Sequence, residues 1–167
     1  MSSVWSEDKG LYDFVELSRC SDFVVVLVGM KRSQVEMLKG EEYRDCNIIG
    51  ISRTQNQQEL AMIYSMADVF VNPTHADMFP TVNLEALACG TPLVTYNAGG
   101  SPEILDENTG MVVQRDDITA LHEAINHIIA KGKQCYSDAC RSRAIKNFNK
   151  NERFEDYISL YEELAKK

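Results

Sequence analysis

Short apolar runs alternate along this chain with segments whose apolar residues recur at helical spacing. The runs at 23–28, 47–51, 69–71, 92–95 and 111–113 predict five short β-strands. The first of them, Phe23 to Val28, is apolar on both faces, which is typical of a strand buried inside a parallel sheet.

Three stripes of apolar residues predict helices. Leu60, Ile63, Tyr64 and Ala67 fall on one helical face. A second stripe runs from 118 to 129, with Asp116 or Asp117 as its N-cap, and a third, rich in aromatic residues, runs from 154 to 164 and indicates core or inter-domain packing. Strands that alternate with helices predict an α/β fold: a doubly wound, Rossmann-like parallel sheet with helices on both faces and further helices at the C-terminus. Ligands of such sheets bind at the carboxyl ends of the strands.

Length and composition fit one globular domain. The chain has 167 residues, of which 44% are hydrophobic and 25% charged. We expect a single domain over residues 1–167, with the α/β core at 3–130 and C-terminal helices at 131–167. The formal net charge of −8 argues against nucleic acid as a partner. No membrane-spanning run and no signal peptide are evident, and the five cysteines follow no pairing pattern, so we expect free thiols and a cytoplasmic location.

The segment after the third predicted strand carries the candidate chemistry. A helix that begins near Pro80 would leave the amides of Thr81 and Val82 free to bind an anion. Asp77 lies just before this helix and Glu85 in its second turn, and carboxylates accept hydrogen bonds from sugar hydroxyls. An anion site flanked by two carboxylates therefore predicts a ligand made of a nucleoside diphosphate linked to a sugar.

Residues 72–103 read NPTHADMFPTVNLEALACGTPLVTYNAGGSPE. This segment resembles the donor-binding motif of the retaining glycosyltransferases with the GT-B fold, of the group 1 or family 4 type. Asp77 and Glu85 have the spacing of the family's E-x7-E pattern, and Gly99, Gly100 and Glu103 match its G-G-x-x-E segment. Further matches are Phe79, Leu84, Ala86, Ala88, Cys89, Gly90 and Pro92, and upstream Lys9-Gly10-Leu11 and the strand that ends at Gly29. The resemblance extends over about residues 3–130.

The resemblance implies a role for each matched residue. Lys9 and Asp77 would be the catalytic residues: Lys9 would stabilise the leaving diphosphate, and Asp77 would contact the transferred sugar. Glu85 would bind the ribose hydroxyls. The remaining donor-binding positions are backbone approaches and amides near the diphosphate, at Gly29, Phe79, Thr81, Val82, Gly99 and Gly100.

Four positions depart from the family pattern. Asp77 replaces the usual Glu and is one methylene shorter, and Pro80 replaces a Gly and so lacks an amide donor. Val4 stands where the family has a phosphate-binding Arg, and Lys31 replaces the second Gly of a G-x-G turn. Lys31 or Arg32 is a candidate replacement for the absent Arg.

The implied function is donor binding in an enzyme that transfers a sugar from a nucleoside diphosphate to a saccharide or lipid acceptor, with retention of configuration and without a metal or other cofactor. A UDP-type donor is our guess. The acceptor domain of such enzymes is absent from these residues, so we expect this chain alone to be inactive, and any membrane-surface association to come through that domain.

Two alternatives stay open: a non-catalytic nucleotide-binding or regulatory module on the same fold, and a nucleotide-sugar epimerase domain. Four further residues have weaker roles: Glu103 as a cap or ligand residue, and His75, His122 and His127 as structural histidines rather than metal ligands.

Overall fold

The computed structural model describes residues 5–20 and 22–166. Five strands and eight α-helices alternate through this part of the chain. The strands are β1 (Val25–Val28), β2 (Ile48–Ile51), β3 (Phe70–Asn72), β4 (Leu93–Tyr96) and β5 (Gly110–Val113). The helices are α1 (Leu11–Arg19), α2 (Arg32–Met37), α3 (Gln57–Met66), α4 (Thr81–Ala88), α5 (Ser101–Ile104), α6 (Ile118–Lys131), α7 (Gln134–Phe148) and α8 (Lys150–Ala165). The five predicted strands and the three predicted helical stripes are confirmed.

All strand pairs are parallel, and the strands form two hydrogen-bonded ladders rather than one. In the first, β1 pairs with β2, with Val26 opposite Ile49. In the second, the order is β3-β4-β5, with Phe70 opposite Leu93 and Leu93 opposite Gly110. Helices on both faces make this the predicted α/β architecture, but the ladder is interrupted between β1 and β3.

The burial predicted for the first strand is wrong in part. Phe23 and Val24 precede β1, and within the strand only Leu27 is fully buried. Val24 and Val26 remain 58% and 37% exposed. The reason is that the helices after β1 and β2 cover this ladder poorly, since neither α2 nor α3 contains a buried residue.

The core lies around β4, all four of whose residues are buried. Helix α6 packs on β4 and β5, and α1 packs on α6. Helix α4 contacts β3 and β4 and is covered by α7. The predicted cap of α6 is confirmed, because the Asp117 side chain accepts a hydrogen bond from the Ala120 amide.

The C-terminal helix α8 contributes nothing to this core. Its aromatic and aliphatic side chains are all exposed, including Phe154 at 54% and Tyr161 at 68%. Of the two packing modes expected for this stripe, core packing is therefore wrong for the described chain. No helix in residues 5–20 and 22–166 is both long and apolar enough to cross a membrane.

Candidate functional site

The loop from β3 to α4 brings the predicted anion site to the edge of the packed sheet. Helix α4 begins at Thr81 with Pro80 as its N-cap, which agrees with the predicted helix start near Pro80. No side chain caps this end of the helix. The Asn83 amide bonds to the Pro80 carbonyl at 3.0 Å, whereas the amides of Thr81 and Val82 find no acceptor among the described residues. These two amides, at the positive end of the helix, are therefore free to bind an anion.

Helix α4 is fixed on β3 by a pair of amide side chains. Asn72, the last residue of β3, donates to the Oδ1 atom of Asn83 at 2.7 Å, and Asn83 is fully buried. The Asn72 carbonyl in turn accepts a hydrogen bond from the Thr95 hydroxyl of β4. The start of α4 thus has a fixed position relative to the sheet.

Lys9 and Asp77, which are 68 positions apart in the chain, meet in front of α4. The Lys9 ammonium contacts the Oδ2 atom of Asp77 at 2.8 Å, and both side chains are partly exposed. The second oxygen of Asp77 accepts a hydrogen bond from the Phe79 amide at 3.3 Å. The structure therefore joins the two predicted catalytic residues in one ion pair.

The segment that carries Lys9 is packed closely on the β3–α4 loop. Lys9 ends a short 3-10 turn, Glu7–Lys9, and the carbonyl of Asp8 accepts a hydrogen bond from the His75 amide at 2.9 Å. Gly10 has a φ of 72° and lies against Pro73, where a Cβ atom would clash. A left-handed residue without a side chain is what lets the lysine reach Asp77.

Gly99 and Gly100 lie against the other side of the same loop. The Gly100 amide donates to the Met78 carbonyl at 3.0 Å. A Cβ atom on Gly99 would collide with the Asp77 carbonyl oxygen, and one on Gly100 with that of Met78. In the described structure both glycines brace the loop of Asp77, and their approach to a donor stays a prediction.

Glu85 is exposed on α4, and one of its oxygens is already bound. The Tyr64 hydroxyl of α3 donates to the Oε2 atom of Glu85 at 3.0 Å. Burial raises the pKa of the Tyr64 hydroxyl above its ordinary value, and the negative charge of Glu85 raises it further. Tyr64 was predicted only as part of a helical stripe, so sequence reasoning missed this contact.

A cavity of about 730 Å³ extends from these residues into the gap between β1 and β3. Lys9, Asp77 and Val82 line it, together with Asn72 and Tyr64. Its volume lies in the range of small-molecule sites. A separate open depression of about 350 Å³ is lined by residues later in the sequence, among them Asp106, Arg143 and Lys146.

The remaining predicted residues do not line this cavity. Thr81 and Glu85 lie beside it on α4, next to the lining residue Val82, while Phe79 packs against Phe148 with ring centroids 6.1 Å apart. Gly29 directly follows β1 with a φ of 86°, and its amide donates to the Ile51 carbonyl. Lys31 and Arg32 are exposed at the start of α2, and their proposed replacement of the absent Arg stays a prediction. Val4 lies outside the described residues.

His75 is a loop anchor in this structure. Its two ring nitrogens contact the carboxylates of Asp13, at 2.9 Å, and Asp116, at 3.3 Å. The ring also packs edge-on against Tyr96, whose pKa is raised by burial and by the neighbouring Asp13 and Asp116. His75 therefore ties the β3–α4 loop to α1 and to the segment after β5. Within residues 5–20 and 22–166, no group of three or more His, Cys, Asp or Glu side chains is arranged to hold a metal ion.

The chain matches the family model described as "Glycosyl transferases group 1" over residues 8–131. A curated relative, the alpha-maltose-1-phosphate synthase of Mycolicibacterium smegmatis, is 36% identical over 112 residues, which are 62% of this chain and 29% of the relative. The matched region contains the β3–α4 loop, the start of α4 and Lys9, so the match covers the residues assembled above.

Solved structures of similar fold extend the likeness to almost the whole chain. The sucrose-phosphate synthase of Thermosynechococcus elongatus is 26% identical with a TM-score of 0.81, over 96% of this chain and 43% of that one. An Anabaena protein crystallised in complex with UDP has a TM-score of 0.72 at 20% identity, over 94% of this chain and 47% of that one, which shows a shared fold. The chain spans less than half the length of these relatives.

Proposed function

This chain belongs to the group 1 glycosyltransferase family, and from that premise we propose that it binds the nucleoside-diphosphate sugar donor of a retaining, metal-independent glycosyltransferase. The acceptor, a saccharide or a lipid, would be bound by a further domain outside these residues. A UDP-type donor is the form we favour, and the UDP complex of the Anabaena protein of similar fold supports it.

The observation that carries the proposal is the meeting of Lys9 and Asp77 in front of the free amides of α4. A cation at position 9 joins a carboxylate and an uncapped helix start from residues 77–82, and all three adjoin one cavity. A diphosphate needs a cation and amide donors, and the sugar it carries needs acceptors for its hydroxyls. The chemistry of the site thus fits a phosphorylated sugar better than a bare anion.

In the proposed reaction the bond between the sugar and the diphosphate breaks, and negative charge grows on the leaving nucleoside diphosphate. Lys9 and the amides of Thr81 and Val82 would stabilise this charge, which lowers the barrier because the charge is greatest as the bond breaks. Asp77 would turn from Lys9 to the hydroxyls of the sugar once the phosphate takes the ammonium. Glu85 would hold the ribose.

The proposal is tested by the binding of nucleosides and nucleotides to the 167-residue chain. We expect UDP to raise the melting temperature more than UMP, and UMP more than uridine, because each phosphate adds charge at the same helix end. Higher salt should narrow these differences. Glu85→Ala should weaken UDP binding about 10- to 150-fold, the loss of a charge-assisted hydrogen bond. Calorimetry with UDP, GDP and ADP measures the affinities and identifies the base.

Matched lysine variants control for general charge effects. Lys9→Met should reduce the ratio of UDP affinity to uridine affinity. Lys39→Met removes an exposed lysine paired with Glu36 and should leave this ratio unchanged. Preference for a nucleoside over its diphosphate would contradict the proposed anion site. Equal effects of the two lysine variants would remove Lys9 from it.

A further inference from the structure

Glu85 has one satisfied and one free carboxylate oxygen. The Tyr64 hydroxyl holds Oε2 at 3.0 Å, while Oε1 accepts no hydrogen bond from any described residue. An exposed glutamate has three rotatable bonds and populates several rotamers in the absence of such a contact. The bond from Tyr64 selects among these rotamers and leaves one oxygen for a ligand.

Tyr64 is itself held in place by its neighbours, so its hydroxyl can fix the position of the Glu85 side chain. Its ring packs edge-on against Phe70 of β3, with centroids 5.3 Å apart, and its carbonyl accepts a hydrogen bond from the Thr91 hydroxyl at 2.6 Å. The ammonium of Lys133 caps the end of α3 through the carbonyls of Ser65, at 2.6 Å, and Ala67, at 2.8 Å. The hydroxyl therefore projects from an anchored helix end.

The phenol also keeps its proton under all ordinary conditions. Burial and the adjacent carboxylate raise the pKa of Tyr64, so the hydroxyl remains a donor toward Glu85. A hydroxyl with a raised pKa gives Glu85 a constant donor across the pH range in which an enzyme works.

We propose that Tyr64 is a positioning residue of the donor site, whose hydroxyl holds Glu85 so that its free oxygen faces the ribose hydroxyls of the nucleotide. The inference rests on the proposed function, since it names the residue that orients the ribose-binding carboxylate. Tyr64 contributes to ribose recognition through Glu85 and lines the same cavity as Lys9 and Asp77.

The test is a double-mutant cycle of Tyr64→Phe and Glu85→Ala, in which calorimetry measures the affinities for UDP and for 2′,3′-dideoxy-UDP. If the chain prefers another base, GDP or ADP and the matching dideoxy nucleotide replace these two ligands. Tyr64→Phe keeps the ring and removes only the hydroxyl. It should weaken UDP binding about 5-fold, because Glu85 must then be ordered among its rotamers when the ribose binds. In the Glu85→Ala background the same change should cost nothing further, and binding of the dideoxy nucleotide should not respond to Tyr64→Phe.

Tyr157→Phe, at an exposed tyrosine of α8, is the matched control and should leave both affinities unchanged. An equal loss for UDP and its dideoxy form, or a full loss on top of Glu85→Ala, would overturn the inference, because Tyr64 would then act on the fold and not through Glu85. An unchanged UDP affinity in Tyr64→Phe would overturn it as well. Failure of the unaltered chain to bind any of the three diphosphates would instead overturn the proposed function, and the inference with it.

Discussion

The two parallel ladders of this molecule are built from similar apolar residues and are buried to very different extents. All four residues of β4 are buried, whereas β1 buries only Leu27. Val26 and its register partner Ile49 are 37% and 51% exposed. Helices α4 and α6 pack directly on the β3–β5 ladder, while α2 and α3 bury no residue of their own.

Most of the candidate site lies on the well-packed ladder. Asp77 and the start of α4 follow β3, and Gly99 and Gly100 follow β4. Gly29 directly follows β1 of the open β1–β2 ladder, and residues of β1 also line the cavity. The residues proposed to hold the donor thus extend from the part of the molecule that packs most tightly, which agrees with the need for preorganisation in binding and catalytic sites.

Substitution of one glycine in each ladder gives the strongest test of the difference in packing between the two ladders. Gly110 of β5 lies opposite Leu93, and a Cβ atom there would collide with the Leu93 backbone. Gly50 of β2 lies opposite Leu27, and a Cβ atom there would meet the side-chain ends of Met30, at 3.0 Å, and Val35, at 3.2 Å. We expect Gly110→Ala to lower the free energy of unfolding by about 3 kcal/mol or more, because backbone must move, and Gly50→Ala to lower it by less than about 1 kcal/mol.

Urea unfolding followed by circular dichroism measures both variants. Each glycine sits in a strand and pairs with a leucine, so loss of strand-glycine flexibility is common to the two and cancels in the comparison. Equal losses of stability would mean that the two ladders are equally rigid.

Alkaline pH tests whether water is excluded from the packed half. Burial raises the pKa of the Cys140 thiol on α7 from 9.0 to about 12. Between these pH values the unfolded chain loses this proton and the folded chain keeps it. Stability from this group is therefore complete below about pH 9 and falls as pH rises, by up to about 1.4 kcal/mol per pH unit.

Cys140→Ala should remove this contribution, so its free energy of unfolding should fall less steeply than that of the parent chain above about pH 9. Urea titrations at several pH values give the two slopes. Cys135→Ala, at an exposed position of the same helix, retains Cys140 and should keep the steeper slope. Parallel slopes for the parent and Cys140→Ala would mean that solvent reaches the Cys140 thiol, which lies beside the Thr109 carbonyl.

Sequence periodicity predicted the five strands and the helices α3, α6 and α8, because the spacing of apolar residues is a local property of the chain, but it did not predict α1, α2 or α5. The five apolar runs and the stripe at 118–129 each became the expected strand or helix, and Asp117 caps α6 as predicted. The interruption between β1 and β3 was not predictable, since both strands are apolar and nothing in either run states which neighbour it pairs with. Exposure of Val24 and Val26 depends on distant helices, which periodicity within one strand does not report.

The site divides in the same way. The spacing of Asp77 and Glu85 around a helix start was readable from the chain, because it is local. The contacts of Tyr64 with Glu85 and of His75 with Asp13 and Asp116 were not readable, because each joins residues brought together only by the fold. Tyr64 looked like one more apolar position of a helical stripe, and its hydroxyl was the only signal that could have suggested a polar role.

The smallest expected effect concerns the ion pair that links Lys9 to the packed ladder. A diphosphate that binds Lys9 must first displace Asp77 from it, and an exposed ion pair of this kind is worth roughly 0 to 1 kcal/mol. Asp77→Asn frees the ammonium, so we expect UDP to bind about 2- to 5-fold more tightly to this variant at low salt, and the gain to vanish at high salt.

The same variant should lose discrimination between UDP-glucose and UDP, because the sugar contact is weakened. Glu36→Gln frees Lys39 in the open half in the same way and should change neither affinity. Calorimetry at two salt concentrations distinguishes these outcomes. Weaker UDP binding to Asp77→Asn would mean that Asp77 serves the diphosphate end of the ligand, and Lys9 would then hold the carboxylate in place instead of neutralising the leaving group.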